Sequence, residues 1–175
     1  NTGWAQMACC SIQEIMDLAT VCHLATLKSK IPFLNFFDGF RTSSSVQKIE
    51  VIDYETLKGL IDMQYVEDFR SRAMNPENPQ VKVGAQNPDV YFQGRETVNS
   101  YYDATPAIVQ EYMDIVSNLV GRKYNLFDYV GDPNAENIVV AMGSGCETIE
   151  ESINYLNSKG AKLGLVKVRL YRPFS

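Results

Sequence analysis

A carboxylate, a guanidinium and a hydroxyl stand around one glycine at Asp38, Gly39, Arg41 and Thr42. They sit inside residues 31–45, reading IPFLNFFDGFRTSSS. Ile31, Phe33, Leu34, Phe36 and Phe37 make a short apolar run that suits a strand buried on both faces, as in a parallel sheet. Asp38 and Gly39 break the run, and Thr42 to Ser45 offer helix N-caps. A buried strand, a polar turn and a helix start form the unit that carries ligands at the carboxyl ends of strands in open α/β sheets. Asp38, Gly39, Arg41 and Thr42 are therefore the first residues to consider as ligand contacts.

Other reactive types are sparser. His23 is the sole histidine. It lies mid-helix with no second base or ligand near it in sequence, so a structural place is expected. Gly143-Ser144-Gly145 could open a helix over a phosphate, but it lacks the third glycine of the dinucleotide fingerprint and the lysine of a P-loop. Glu147 beside it would repel an anion, so a tight turn for close packing is expected. Cys9, Cys10, Cys22 and Cys146 show no C-x-x-C spacing. Three of them fall in helix-like segments. The spacing supports neither an iron–sulfur nor a zinc site and predicts buried free thiols in a reducing compartment.

The elements that must position these residues follow from periodicity. Residues 11–28 read as a helix with Ser11 as cap and Glu14 completing a capping box. Residues 49–54 read as a strand or an extended connector, after which Asp53 caps a helix over 54–63. Residues 65–72 continue in helical composition. Residues 75–88 (NPENPQVKVGAQNP) hold three prolines, so regular structure is not expected, and a lid, contact arm or linker is. Residues 101–124 read as the second long helix, with Thr105 as cap, Pro106 at the first helical position and Gly121 near its end. Its tyrosines Tyr101, Tyr102 and Tyr112 suit packing more than base stacking. Residues 128–136 (DYVGDPNAE) read as a linker. Beyond it, strand 137–142, helix 148–158 closed by Gly160, and strand 163–170 make one βαβ unit, expected to be right-handed.

The 175 residues are 45% apolar and 21% charged, with a formal charge of −5. This is the balance of a folded globular chain, and the acidic sign argues against nucleic acid as partner. No stretch is long and apolar enough to span a membrane. The first residue is Asn1, close to a helical pattern, and the last residues leave a strand, which together read as an internal fragment of a longer polypeptide.

FFDGFRTS followed by VQKI resembles the first-domain signature of pyruvate:ferredoxin oxidoreductases. The helix run QMACCSIQEIMDLATVCHLATLKSKIPF, the pattern NP…QNPDVYFQGRE, and MGSG–ETIEE with KVRLYRPF resemble the same family, in order along nearly the whole chain. Members often carry Asn where this chain has Cys10, and a His-Glu pair where it has Ser44 and Ser45. The resemblance implies an α/β fold. Residues 1–127 would be the C-terminal part of a thiamine-diphosphate-binding pyrimidine domain, a mostly parallel sheet with helices. Residues 128–136 would be a linker, and 137–175 the first βαβ unit of a transketolase C-terminal-like domain. It implies an intact enzyme that converts pyruvate and CoA to acetyl-CoA and CO2 and passes electrons to ferredoxin or flavodoxin. Thiamine diphosphate, Mg2+ and [4Fe-4S] clusters would serve it, in a homodimer, in the cytoplasm or a reducing, hydrogenosome-like organelle. No catalytic residue and no metal ligand is expected within these residues, which would be inactive alone. A variant that reduces NADP, and a non-catalytic α/β interaction module, are the alternatives.

Overall fold

The computed structural model describes residues 3–80 and 84–175, which carry two small mixed sheets and seven helices. The first sheet has strand order β2-β1-β6, with β1 at Ala5–Ala8, β2 at Phe33–Phe36 and β6 at Leu170–Arg172. β1 runs parallel to β2 and antiparallel to β6. The second has order β3-β5-β4, from Phe127–Gly131, Leu163–Val168 and Asn137–Ala141. There β5 runs antiparallel to β3 and parallel to β4. Each sheet thus joins one parallel to one antiparallel pair, and the expectation of a mostly parallel sheet is corrected.

Two helices make the main core. α1 (Ile12–Ser29) starts as its sequence dictates: the Ser11 hydroxyl accepts the Glu14 N–H at 3.2 Å. The Glu14 carboxylate reaches back to the N–H of Cys10, one residue before the cap, at 2.8 Å. The helix ends at Lys30 in the left-handed region. Its face of Leu18, Val21 and Ala25 is fully buried against Val109, Met113 and Val116 of α6 (Asn99–Val120). Side chains of this size contribute about 1.5–3 kcal/mol each when removed from water.

Several expectations change. Strand β1 and the turn after it, which holds Cys9 and Cys10, stand where a helical pattern was expected; a four-residue strand is too short for periodicity to reveal. β2 is the edge of its sheet among the described residues, with Leu34 46% exposed, and is not buried on both faces. α6 starts earlier than Thr105, and Pro106 sits inside it. Pro106 can give no N–H to the helix, and the neighbouring Thr105 hydroxyl donates to the Tyr101 carbonyl at 2.7 Å. Short helices α2 (Arg41–Ser44), α3 (Tyr54–Gly59) and α4 (Met63–Ser71) follow β2, and residues 49–53 are the extended connector. Asp53 caps α3 as expected, accepting from the Thr56 N–H at 2.9 Å.

α5 (Pro88–Glu96) forms where no element was assigned, with Pro88 opening it. The preceding segment is irregular where described, apart from a bridge between Asn75 and Asn78; its residues 81–83 lie outside the described residues. The expected linker begins as β3, and the expected strand 163–170 is two strands in different sheets, broken at Arg169. α7 (Gly145–Ser158) packs on β5, and β4 is exposed at Ile138, Val139 and Val140 rather than buried.

Candidate functional site

The carboxyl end of β2 meets the Gly-rich turn before α7. After Phe36 the chain passes Phe37, Asp38 and Gly39 into a tight γ-turn at Phe40, whose φ is 60° and ψ −70°. The Gly39 carbonyl accepts the Arg41 N–H across that turn at 2.7 Å. A phenylalanine held at positive φ outside the usual wells carries about 1–3 kcal/mol of strain. Phe40 is 87% exposed. The Asp38 carboxylate reaches across 106 residues of sequence and accepts the Ser144 N–H at 2.5 Å. Gly143 has φ 78°, and a Cβ there would stand 3.1 Å from both carboxylate oxygens, so glycine admits the contact. Hydrogen bonds from Ser144 hold the Asp38 carboxyl below its ordinary range.

The two stretches singled out by sequence are therefore one place, and its anion belongs to the chain. A helix N-terminus offers unpaired N–H groups and a partial positive charge. In α7 Asp38 already meets one of these N–H groups. Of the other predicted contacts, Thr42 is half-buried in α2, and Arg41 is exposed and forms no ion pair among the described residues. His23 is exposed on α1, beside a shallow depression of about 100 Å³ that Asn35 and Cys22 share.

Two ionic clusters tie the elements together, and sequence reading found neither. Asp17 is fully buried in α1. It accepts from Arg122 Nε at 2.8 Å, from the Tyr124 hydroxyl at 2.6 Å and from Gln13 at 3.1 Å. Arg122 also pairs with Glu50. Burial pushes the Tyr124 phenol up, and the Asp17 carboxylate adds to it. In the second cluster Arg169 is 4% exposed. It pairs with Glu14 at 2.8 Å and with Asp128, and its guanidinium lies 5.4 Å from the Tyr124 ring centre. These charges are paired with one another, with the buried Arg169 Nε alone left without a partner among the described residues, and such pairing is the work of a structural joint.

A cavity of about 640 Å³ lies elsewhere. Arg95, Tyr102, Tyr171, Arg172 and Phe174 line it, so it unites the QGRE and LYRPF stretches. The Tyr102 hydroxyl donates to the Gly3 carbonyl at its rim. Neither arginine forms an ion pair among the described residues, so the cavity is a positive, aromatic-walled space. The RPF stretch carries no sequence signal for such a role beyond its one basic side chain, Arg172.

Residues 1–114 match the family model described as "Pyruvate flavodoxin/ferredoxin oxidoreductase, thiamine diP-bdg", and residues 135–175 match "Pyruvate:ferredoxin oxidoreductase core domain II". The chain belongs to the pyruvate:ferredoxin/flavodoxin oxidoreductase family. It is 59% identical over 175 residues to a pyruvate:ferredoxin oxidoreductase of Moorella thermoacetica. It is 55% identical over the same length to a pyruvate-flavodoxin oxidoreductase of Rhodospirillum rubrum. A protein of Cryptosporidium parvum named pyruvate dehydrogenase [NADP(+)] is 51% identical over 176 residues. All of this chain is covered in each match, but it spans 15% of the first two relatives and 9% of the third.

The family model names thiamine diphosphate, so the donor set here can be tested against it. A diphosphate needs free N–H groups and a metal held by oxygen ligands. The Gly-rich turn of this oxidoreductase-family chain already holds Asp38, and no group of three or more His, Cys, Asp or Glu among the described residues could hold a metal ion. The cysteines are buried and dispersed, not set around one cluster site. Among the described residues, neither the Gly-rich turn nor the cysteines make a diphosphate, magnesium or iron–sulfur site by themselves.

Proposed function

We propose that the chain is part of an enzyme that oxidatively decarboxylates pyruvate with CoA, giving acetyl-CoA and CO2, and passes the electrons to ferredoxin or flavodoxin. The observation that carries this reading is the pair of family models matched in order along one chain, at residues 1–114 and 135–175. Relatives named for that reaction, above half identity over all 175 residues, support it. Thiamine diphosphate would supply the carbanion chemistry, and Mg2+ and [4Fe-4S] clusters would serve the intact enzyme. Because this chain does not complete such a site, its own part is to build and join two domains. Residues 1–127 and 137–175 are proposed as those domains, with 128–136 joining them.

Asp38, Gly39, Arg41 and Thr42 remain the proposed substrate- or cofactor-proximal residues, with Asp38 acting by ordering the Gly-rich turn. A homodimer is proposed, in keeping with exposed apolar side chains such as Phe40, Tyr54, Phe69 and Phe92. The four free thiols suit cytoplasm or a reducing organelle. No helix among the described residues is long and apolar enough to cross a membrane.

The test is anaerobic turnover of the intact purified enzyme that contains these residues, following reduction of ferredoxin, flavodoxin or NADP. Reduction that needs both pyruvate and CoA supports the reading. Transfer to NADP alone would favour the second reading, a pyruvate:NADP oxidoreductase, which the Cryptosporidium relative supports. No pyruvate-dependent reduction with any acceptor would overturn both and leave a non-catalytic interaction module.

A further inference from the structure

We propose that Cys10 and Cys146 form a peroxide-sensitive thiol pair that closes into a disulfide across the joint between the two sheets. Cys10 lies in the turn between β1 and α1 and is 2% exposed; Cys146 lies in the first turn of α7 and is fully buried. The two meet in a small core with Ile153 and Leu165, separate from the main core. Both side chains belong to that one buried cluster.

The other two cysteines are engaged elsewhere. The Cys9 thiol donates to the Asn35 side chain at 2.9 Å, and Cys22 belongs to the main core. Burial pushes the Cys22 thiol up to about 12 and the Cys9 thiol higher still. The Cys10–Cys146 pair is polarised instead. The hydrogen bond from Cys10 and the nearby Lys167 ammonium lower the Cys146 thiol, while Cys146 itself and burial raise Cys10. Lys167 is held in place by Glu150 at 2.5 Å. The start of α7 adds its partial positive charge at Cys146.

The chemistry follows from that asymmetry. The Cys146 thiolate attacks one oxygen of a hydroperoxide, the O–O bond breaks, and the departing hydroxide takes a proton. With hydrogen peroxide the products are a Cys146 sulfenic acid and one water. The Cys10 sulfur then gives up its proton and attacks the Cys146 sulfur, and the S–O bond breaks to release a second water. Two thiols lose two electrons and two protons, and the peroxide is reduced to two waters. The disulfide would pin the β1–α1 turn to the start of α7, beside the Asp38–Ser144 contact. It uses no residue assigned above to the pyruvate reaction.

The test treats the whole protein with hydrogen peroxide, blocks remaining thiols with iodoacetamide in denaturant, and maps the peptides without reduction. The expected product is a Cys10–Cys146 linked peptide, about 2 Da lighter than the two thiol peptides together, that separates with dithiothreitol. Cys22→Ser should form it as the parent does. Cys10→Ser should lose it and leave a Cys146 sulfenic acid that dimedone traps. Iodoacetamide on both cysteines after peroxide, or Cys10 linked instead to Cys9 or Cys22, would overturn the pair. Should Cys10→Ser fail to fold, the parent and Cys22→Ser maps decide the matter.

Discussion

Asp38 stands on an exposed turn, yet it ties β2 to α7 through one charged hydrogen bond, from the Ser144 N–H at 2.5 Å. A carboxylate at a helix start satisfies a donor that would otherwise face water, and caps of this kind are worth about 1 kcal/mol. Asp38→Ala should therefore lower the unfolding free energy by about that amount, measured by urea titration, and no change would show the contact to be slack. The pH dependence has a definite sign. The folded carboxyl is held below its ordinary value of 3.8. Its contribution is complete above that value and is lost as pH falls through the lower folded one. Acid titrations of stability should thus be shallower for Asp38→Asn than for the parent below about pH 4, and superimposable limbs would refute the assignment. Asp38 was visible in sequence as a polar break after an apolar run. Its partner was not, because nothing local marks a contact with Ser144 more than a hundred positions away.

What was legible at the level of elements is what short-range chemistry specifies. The α1 start at Ser11 and the α3 start at Asp53 are hydrogen bonds between residues three apart, so their motifs could be read directly. The ends of α6 show both outcomes. Its C-terminus was readable from Gly121, which lies at φ 71° and returns its N–H to the Ser117 carbonyl at 2.9 Å. Its start was not, because Thr105-Pro106 has the form of a helix opening but is embedded about two turns in, where packing of Val109 and Met113 on α1 outweighs the lost hydrogen bond. Gly121→Ala tests the reading of that end. No atom lies within 4 Å of the added Cβ, so the cost is conformational alone, about 1–2 kcal/mol. Thermal unfolding should show a lower midpoint with unchanged secondary structure. An unshifted midpoint would mean that the left-handed cap contributes nothing.

Across the whole molecule, the chain passes directly from one sheet into the other at Arg169. β5 ends at Val168 in one sheet and β6 starts at Leu170 in the other, so the residue between them lies in the seam. Periodicity could not reveal this, since residues 163–170 alternate as one strand would; only the partners of Arg169, drawn from α1 and β3, divide it. Glu14 comes from the first unit and Asp128 from the second, and the Glu14 side chain is only 12% exposed. Removing the guanidinium would leave that carboxylate desolvated without its counter-charge. Breaking a buried pair in this way costs about 3–5 kcal/mol, whereas replacing every member by apolar groups can be neutral. Arg169→Met should accordingly be severely destabilising in denaturant titrations. Arg169→Met with Glu14→Gln should recover part of the loss, because the stranded charge is gone. A single variant within about 1 kcal/mol of the parent would show that the sheets are held by their apolar contacts, with the ionic seam adding only orientation. A double variant no better than the single one would place the cost in the lost packing of Arg169 on Tyr124 instead of in the uncompensated carboxylate.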